Sequence, residues 1–198
     1  MKVIMMSIRP EWVAKILNGE KTIEIRKRFP IDYVGWVYIY CTKGKPNIAK
    51  SNETKTGLLD LNGKVVARFW CDKVEEICPR DYLSMSWHRT ETLKHSQLLE
   101  KSCLTTTEIK DYLKGNGTAI HITKLEIFDR PKEISEFYKV GYENSVIATK
   151  KYILGSMNRE ERRRYKTELD LKINNEIAVI KDNYKLTRAP QSYQFIDI

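Results

Sequence analysis

The run Gly19-Glu20-Lys21-Thr22-Ile23-Glu24-Ile25-Arg26-Lys27-Arg28 is the densest group of polar, chemically capable side chains in the chain. On an extended strand Thr22, Glu24 and Arg26 share one face, and Ile23 and Ile25 share the other. A carboxylate flanked by cations stays ionised. It can orient a donor on a nucleobase or take a proton as a general base. The same pattern suits an ordinary cross-strand ion pair on a solvated sheet face. Positions 21 and 24 differ by an odd number, so a regular strand would send them to opposite faces. Lys21 joins Glu24 only from the turn that precedes regular pleating. From there it is expected to meet a ligand as a movable cation, while Arg26 pairs with Glu24.

Other chemistry finds little support. The sequence holds no Gly-rich phosphate loop, nucleophile elbow or dinucleotide fingerprint. Its four cysteines, Cys41, Cys71, Cys78 and Cys103, form no C-x-x-C pair. They read as reduced and mostly buried. Cys71, Cys78, His88 and His95 fit no metal-ligand spacing, so no metal and no cofactor is expected. His121, in a strand-like stretch, reads as structural.

The elements that position the polar run are legible around it. Lys2 to Ile8 reads as a buried strand. Pro10 opens a helix through Asn18, with Trp12 and Ile16 inward, and Gly19 ends it. A strand follows from Lys21, then another over Trp36 to Cys41. Residues 43–62 read as a polar loop rich in Gly, Pro, Asn and Ser. Strand character resumes over 63–77. Residues 79–114 read as broken helix, clearest over Thr107 to Lys114. A strand from Gly117 to about Phe128 is ended by Arg130-Pro131. Tyr40, Trp36, Trp70 and Trp87 are expected to pack in the core.

The segment 156–184 differs in kind. Tyr165, Leu169, Ile173, Ile177, Ile180 and Tyr184 recur every three or four residues, which predicts one long amphipathic helix. Its first turns carry Arg159, Arg162, Arg163, Arg164 and Lys166. Cations there oppose the helix dipole, so an outside anion would favour the arrangement. A solvated face on a docking helix, or one that contacts a protein partner, explains the same cluster. The chain then closes on a strand after Thr187.

The chain has 198 residues, 41% hydrophobic and 31% charged, with a net charge of +9. That is enough for one compact core. Residues 1–30 hold seven basic and three acidic groups, residues 31–149 hold 17 and 16, and residues 150–188 hold 11 and six. The excess lies at the two ends and suits a polyanion, nucleic acid first. No run is long and apolar enough for a membrane span, and the N-terminus has no small-residue cleavage site. A soluble cytoplasmic protein without a membrane partner is expected. The strands do not alternate regularly with helices, so a small mixed barrel of the α+β class is favoured over a doubly wound sheet.

Ser7-Ile8-Arg9-Pro10, followed by Gly19-x-Lys21-x-x-Glu24-x-Arg26, resembles the ASCH family, a branch of the PUA-like superfamily. The strands at Val37–Tyr40 and Val66–Phe69, the Arg130-Pro131 pair and the terminal Ala189-Pro190-Gln191-Ser192-Tyr193 look like its longer bacterial and phage-type members. The resemblance spans residues 3–41, 63–76, 105–138 and 187–197. It implies one domain over residues 1–198: a PUA-like small mixed β-barrel with flanking helices and a helical insertion at about 140–186, before the last strand. It implies a cleft beside the first helix, lined by Ser7, Arg9, Lys21, Glu24 and Arg26, with Gln191, Ser192 and Tyr193 opposite. The implied ligand is RNA or another nucleic acid, read as a nucleotide or modified base, with a regulatory role open. The alternative is an enzyme, with Lys21 and Glu24 as the catalytic candidates. One branch resembles amidohydrolases of acylated cytidine. It carries threonine where this chain has Glu24 and uses a downstream glutamate, for which Glu100 is a loose counterpart. No turnover of acylated cytidine is therefore expected. Other members are ribonucleases.

Overall fold

The structure, a computed structural model, describes residues 2–51, 58–77 and 95–198. Strand β1 (Lys2–Ile8) is apolar on both faces, and both are covered. Ile4, Met6 and Ile8 enter one core, and Val3 and Met5 enter another. This explains the continuous apolar run, which an exposed strand would not show. Helix α1 (Pro10–Leu17) follows with Pro10 in its first turn and Val13 and Ile16 buried. Gly19, at φ +75°, turns the chain into β2 (Ile23–Arg26), a conformation that favours glycine.

Strands β3 (Gly35–Cys41), β6 (Val65–Cys71), β9 (Thr123–Lys132), β10 (Tyr138–Lys139) and β11 (Tyr193–Asp197) build a six-stranded sheet with β1. Its order is β10-β11-β1-β3-β6-β9. The β1–β3 pair is parallel and the others are antiparallel. A three-stranded antiparallel sheet, β2-β8-β7, uses β8 (Gly117–His121) and β7 (Val74–Ile77). Ile120 and Ile122 join Ile4, Ile39 and Phe69 in the core shared by the two sheets. On its other side, Ile23, Ile25 and Ala119 pack under helices α2 (His95–Ser102) and α3 (Thr106–Leu113). Among the described residues the molecule is thus α+β, with 11 strands and six α-helices.

Several expectations need correction. Within the polar stretch 43–62, β4 (Ala49–Ser51) pairs with β5 (Leu58–Asp60). Arg130-Pro131 does not end its strand, because β9 runs on to Lys132. It lies at the edge of the sheet, where a proline can sit without breaking an interior ladder. Cys78, Trp87 and His88 lie outside the described residues. Cys41 and Cys71 are buried free thiols, and burial pushes both pKa values up to about 12. Trp36 and Trp70 meet edge to face at 5.5 Å across the β3–β6 pair, and Tyr40 is buried.

The long amphipathic segment is not one helix. Helices α5 (Arg159–Arg164) and α6 (Lys166–Tyr184) divide it, with the backbone breaking at Tyr165, and α4 (Tyr142–Gly155) precedes it. The stripe survives in α6: Leu169 is buried, and Ile173, Ile177 and Ile180 are half-buried where α6 packs on α4. The Ser145 hydroxyl donates to the Tyr184 hydroxyl oxygen at 2.9 Å. Buried Asp197 of β11 accepts from the Gly141 N–H at 2.8 Å, which ties the helical unit to the sheet.

Candidate functional site

Lys21, Glu24 and Arg26 form a buried ion triad at the wall of an open cleft. Glu24 and Arg26 point away from Ile23 and Ile25, as strand alternation requires. That side is not solvated. It faces α1 and the end of β1, and Glu24 is only 6% exposed. The ordinary reading of a solvated ion pair therefore fails, because both faces of this small sheet are covered.

Each carboxylate oxygen of Glu24 has its own cation. Oε1 lies 3.0 Å from Arg26 Nη2, and Oε2 lies 3.4 Å from Lys21 Nζ. Arg26 Nη2 also donates to the Ser7 carbonyl at 2.6 Å. Lys21 sits in the turn before β2, as the odd spacing demands, with its N–H donating to the Lys15 carbonyl. It is not a movable cation. Its ammonium donates to the Ser102 carbonyl at 2.7 Å and lies 5.2 Å from the Trp12 ring centre, and the residue is 2% exposed. Burial lowers the Lys21 pKa, and the Glu24 charge and hydrogen bond only partly oppose that shift. Arg26 Nε is buried and meets no acceptor among the described residues. An unpaired buried donor beside a cleft is a place for a ligand oxygen.

The cleft has a volume of about 600 Å³. Ser7, Arg9, Lys21, Glu24, Arg26, Gln191 and Ser192 all line it. Ser7 explains how distant parts meet. Its hydroxyl donates to the Pro190 carbonyl at 2.6 Å, and its N–H donates to the Ser192 carbonyl at 3.0 Å. The segment before β11 is thereby fixed beside β1. Tyr193 is not among the lining residues. Its ring packs 5.2 Å from Phe29, on the side of a smaller pocket. Glu100 is exposed on α2 and does not line the cleft.

Sequence reasoning missed part of the lining. Helix α3 contributes Glu108, Asp111 and Tyr112, and α1 contributes Trp12. A signal for α3 was present, since Thr105 and Glu108 form a reciprocal capping box. Nothing local, however, says which way the outer face of α3 looks. Tyr112 is 40% exposed, an aromatic surface open to stacking.

The basic cluster also reads differently in place. Arg162, Arg163 and Arg164 occupy the last turn of α5, where cations complement the dipole. Glu160 and Glu161 occupy the first turn, and Asn158 caps it through the N–H groups of both. The helix thus needs no outside anion. Arg159, Arg162, Arg163, Arg164 and Lys166 are all exposed, and none lines the cleft. His121, at the end of β8, faces the buried Glu75 at 3.5 Å.

No family model matches this sequence, and no curated protein matches it. Solved structures resemble it. ASCH from Zymomonas mobilis is 17% identical, with a TM-score of 0.45 over 78% of this chain and 80% of that one. A serine-to-alanine variant of that protein is 15% identical, with a TM-score of 0.50 over 98% of this chain and 87% of that one. At such identities the likeness concerns the path of the chain, and this protein has the fold of an ASCH domain.

Proposed function

We propose that this protein is a nucleic-acid-binding module whose cleft receives one nucleotide or modified base of an RNA. The unpaired Arg26 Nε, held by Glu24 at the wall of an open 600 Å³ cleft, carries this reading. A base needs a stacking surface and partners for its edge. Tyr112 and Trp12 supply aromatic surface, and Glu108 and Asp111 offer acceptors to an exocyclic amine. Arg9, exposed at the rim, suits a phosphate. The shared core between the two sheets supports a PUA-like barrel as the scaffold.

Arg26→Lys tests this. Lysine keeps a charge for Glu24 but has no Nε. Binding of a mixed pool of single-stranded oligoribonucleotides is expected to weaken about tenfold or more, in line with a hydrogen bond from a charged donor. Unchanged affinity by fluorescence anisotropy would remove the cleft from the binding surface.

The exposed arginines of α5 extend the same reading to the phosphate backbone. Changing Arg162, Arg163 and Arg164 to Gln is expected to lower the log–log salt slope of RNA binding by about 0.7 for each phosphate no longer neutralised. Thermal stability is expected to stay nearly constant, since the three side chains are exposed. An unaltered slope would leave the cluster as a solvated helix face.

A second reading, an enzyme acting on RNA or an acylated nucleoside, draws on the lowered pKa of buried Lys21. Against it, the Lys21 ammonium already meets Ser102 and Glu24. Hydrolysis of labelled RNA or acylated cytidine by the unaltered protein would put that reading in place of the first.

A further inference from the structure

The polar wall of the cleft does not stop at Arg26. Just past the end of β2 the chain places Lys27 and Arg28 at a second pocket of about 290 Å³, lined also by Phe29, Thr118 and Tyr193. Side chains on both sides join this pocket to the cleft. Lys27 lines the pocket, and its ammonium lies 5.5 Å from the ring centre of Tyr112, which lines the cleft. Thr118 lines the pocket, and its hydroxyl donates at 3.2 Å to the carbonyl of Arg26, whose side chain lines the cleft. The two depressions are therefore neighbours around the end of one strand.

Their chemistry is complementary to a repeating polyanion. The cleft offers aromatic surface and Arg26, whose buried Nε meets no acceptor among the described residues. The second pocket offers two exposed cations beside the half-buried Tyr193 ring, with Glu76 as its acid. A lone nucleoside would use only the first. A strand would place one base in the cleft and the phosphate and sugar of the next nucleotide against Lys27 and Arg28. Resting on the nucleotide reading of the cleft, we infer that the second pocket is a subsite for the neighbouring nucleotide, and that the ligand is a single-stranded oligonucleotide rather than a free nucleotide. Cations next to aromatic surface are the usual means of following a single strand without reading its sequence.

The inference is tested with two probes, a mixed-sequence single-stranded hexaribonucleotide and a pool of nucleoside 5′-monophosphates. Each is titrated against the unaltered protein and a Lys27→Gln/Arg28→Gln variant. Both substituted side chains are exposed, so the variant is expected to melt with the parent. The hexanucleotide is expected to bind the parent about tenfold tighter than the monophosphates, and the variant to lose most of that advantage. Its log–log salt slope is expected to fall by about 0.7 for each phosphate left without its cation. Monophosphate affinity is expected to change by less than about twofold in the variant. Monophosphate binding without any length advantage, or a length advantage that survives in the variant, would overturn the subsite and leave the cleft reading intact. Failure of the parent to bind either probe would overturn the cleft reading and the subsite with it.

Discussion

Replacing Glu24 with leucine is expected to destabilise the protein by about 3–5 kcal/mol, the cost of leaving a buried charge without its partner. Lys21 and Arg26 would then face each other across an apolar side chain, at 2% and 11% side-chain exposure. The Ser102 and Ser7 carbonyls would still hold them, but neither carries a formal negative charge. A chemical-denaturation curve measures the loss directly. If the triad matters through its uncompensated charge, a Lys21→Met/Glu24→Leu/Arg26→Met protein should recover most of it, since apolar replacement of a whole buried ion cluster is often neutral. A Glu24→Leu protein as stable as the parent would mean that water reaches the triad freely.

The sign of the pH dependence follows from Lys21. Burial holds its pKa below the ordinary 10.5, and Glu24 pulls it partly back. Leucine at position 24 removes that pull. Between the folded-state pKa and 10.5 the unfolded chain binds more protons than the folded one, so stability rises with pH there. The deficit of Glu24→Leu is accordingly expected to be fullest below the variant's Lys21 pKa, to narrow as pH rises from there to the parent's, and to stay level above it.

Ending the chain after Arg188 is expected to abolish cooperative folding. The truncation removes β11, which pairs with β1 in register from Lys2↔Asp197 to Met6↔Tyr193. The ladder groups of β1 on that side would lose their partners. Fully buried Ile196 would leave the core between the sheet and Leu186, and its loss alone carries about 2–5 kcal/mol. The cleft would suffer too, because the Ser7 hydroxyl and N–H bind the carbonyls of Pro190 and Ser192. A truncated protein with a sharp melt near the parent's would show that β11 is dispensable. Ile196→Ala, a milder change, is expected to lower the melting temperature while keeping a single transition.

Elements whose signals are local could be read directly from the order of residues. The apolar run Lys2–Ile8, Pro10 at a first helical turn, Gly19 at positive φ and the alternation from Ile23 each act within a few residues, and each appears in place. The placing of Lys21 before regular pleating followed from parity alone. Long-range packing settled what those signals leave open. Alternation says that Glu24 and Arg26 share a face, but not whether that face is wet. Trp12 of α1, Ser7 of β1 and Ser102 of α2 close on it and bury the triad at the cleft wall. The capping box at Thr105 marks the start of α3, yet only its docking on Ile23, Ile25 and Ala119 turns Glu108, Asp111 and Tyr112 toward the cleft. In the same way the three-to-four periodicity of 165–184 is blind to a break at Tyr165. The Asn158 cap starts α5, and the packing of α6 on α4 places the stripe. A residue's neighbours along the chain set its backbone conformation, whereas its burial is set by surfaces brought from far away, such as Pro190 against Ser7.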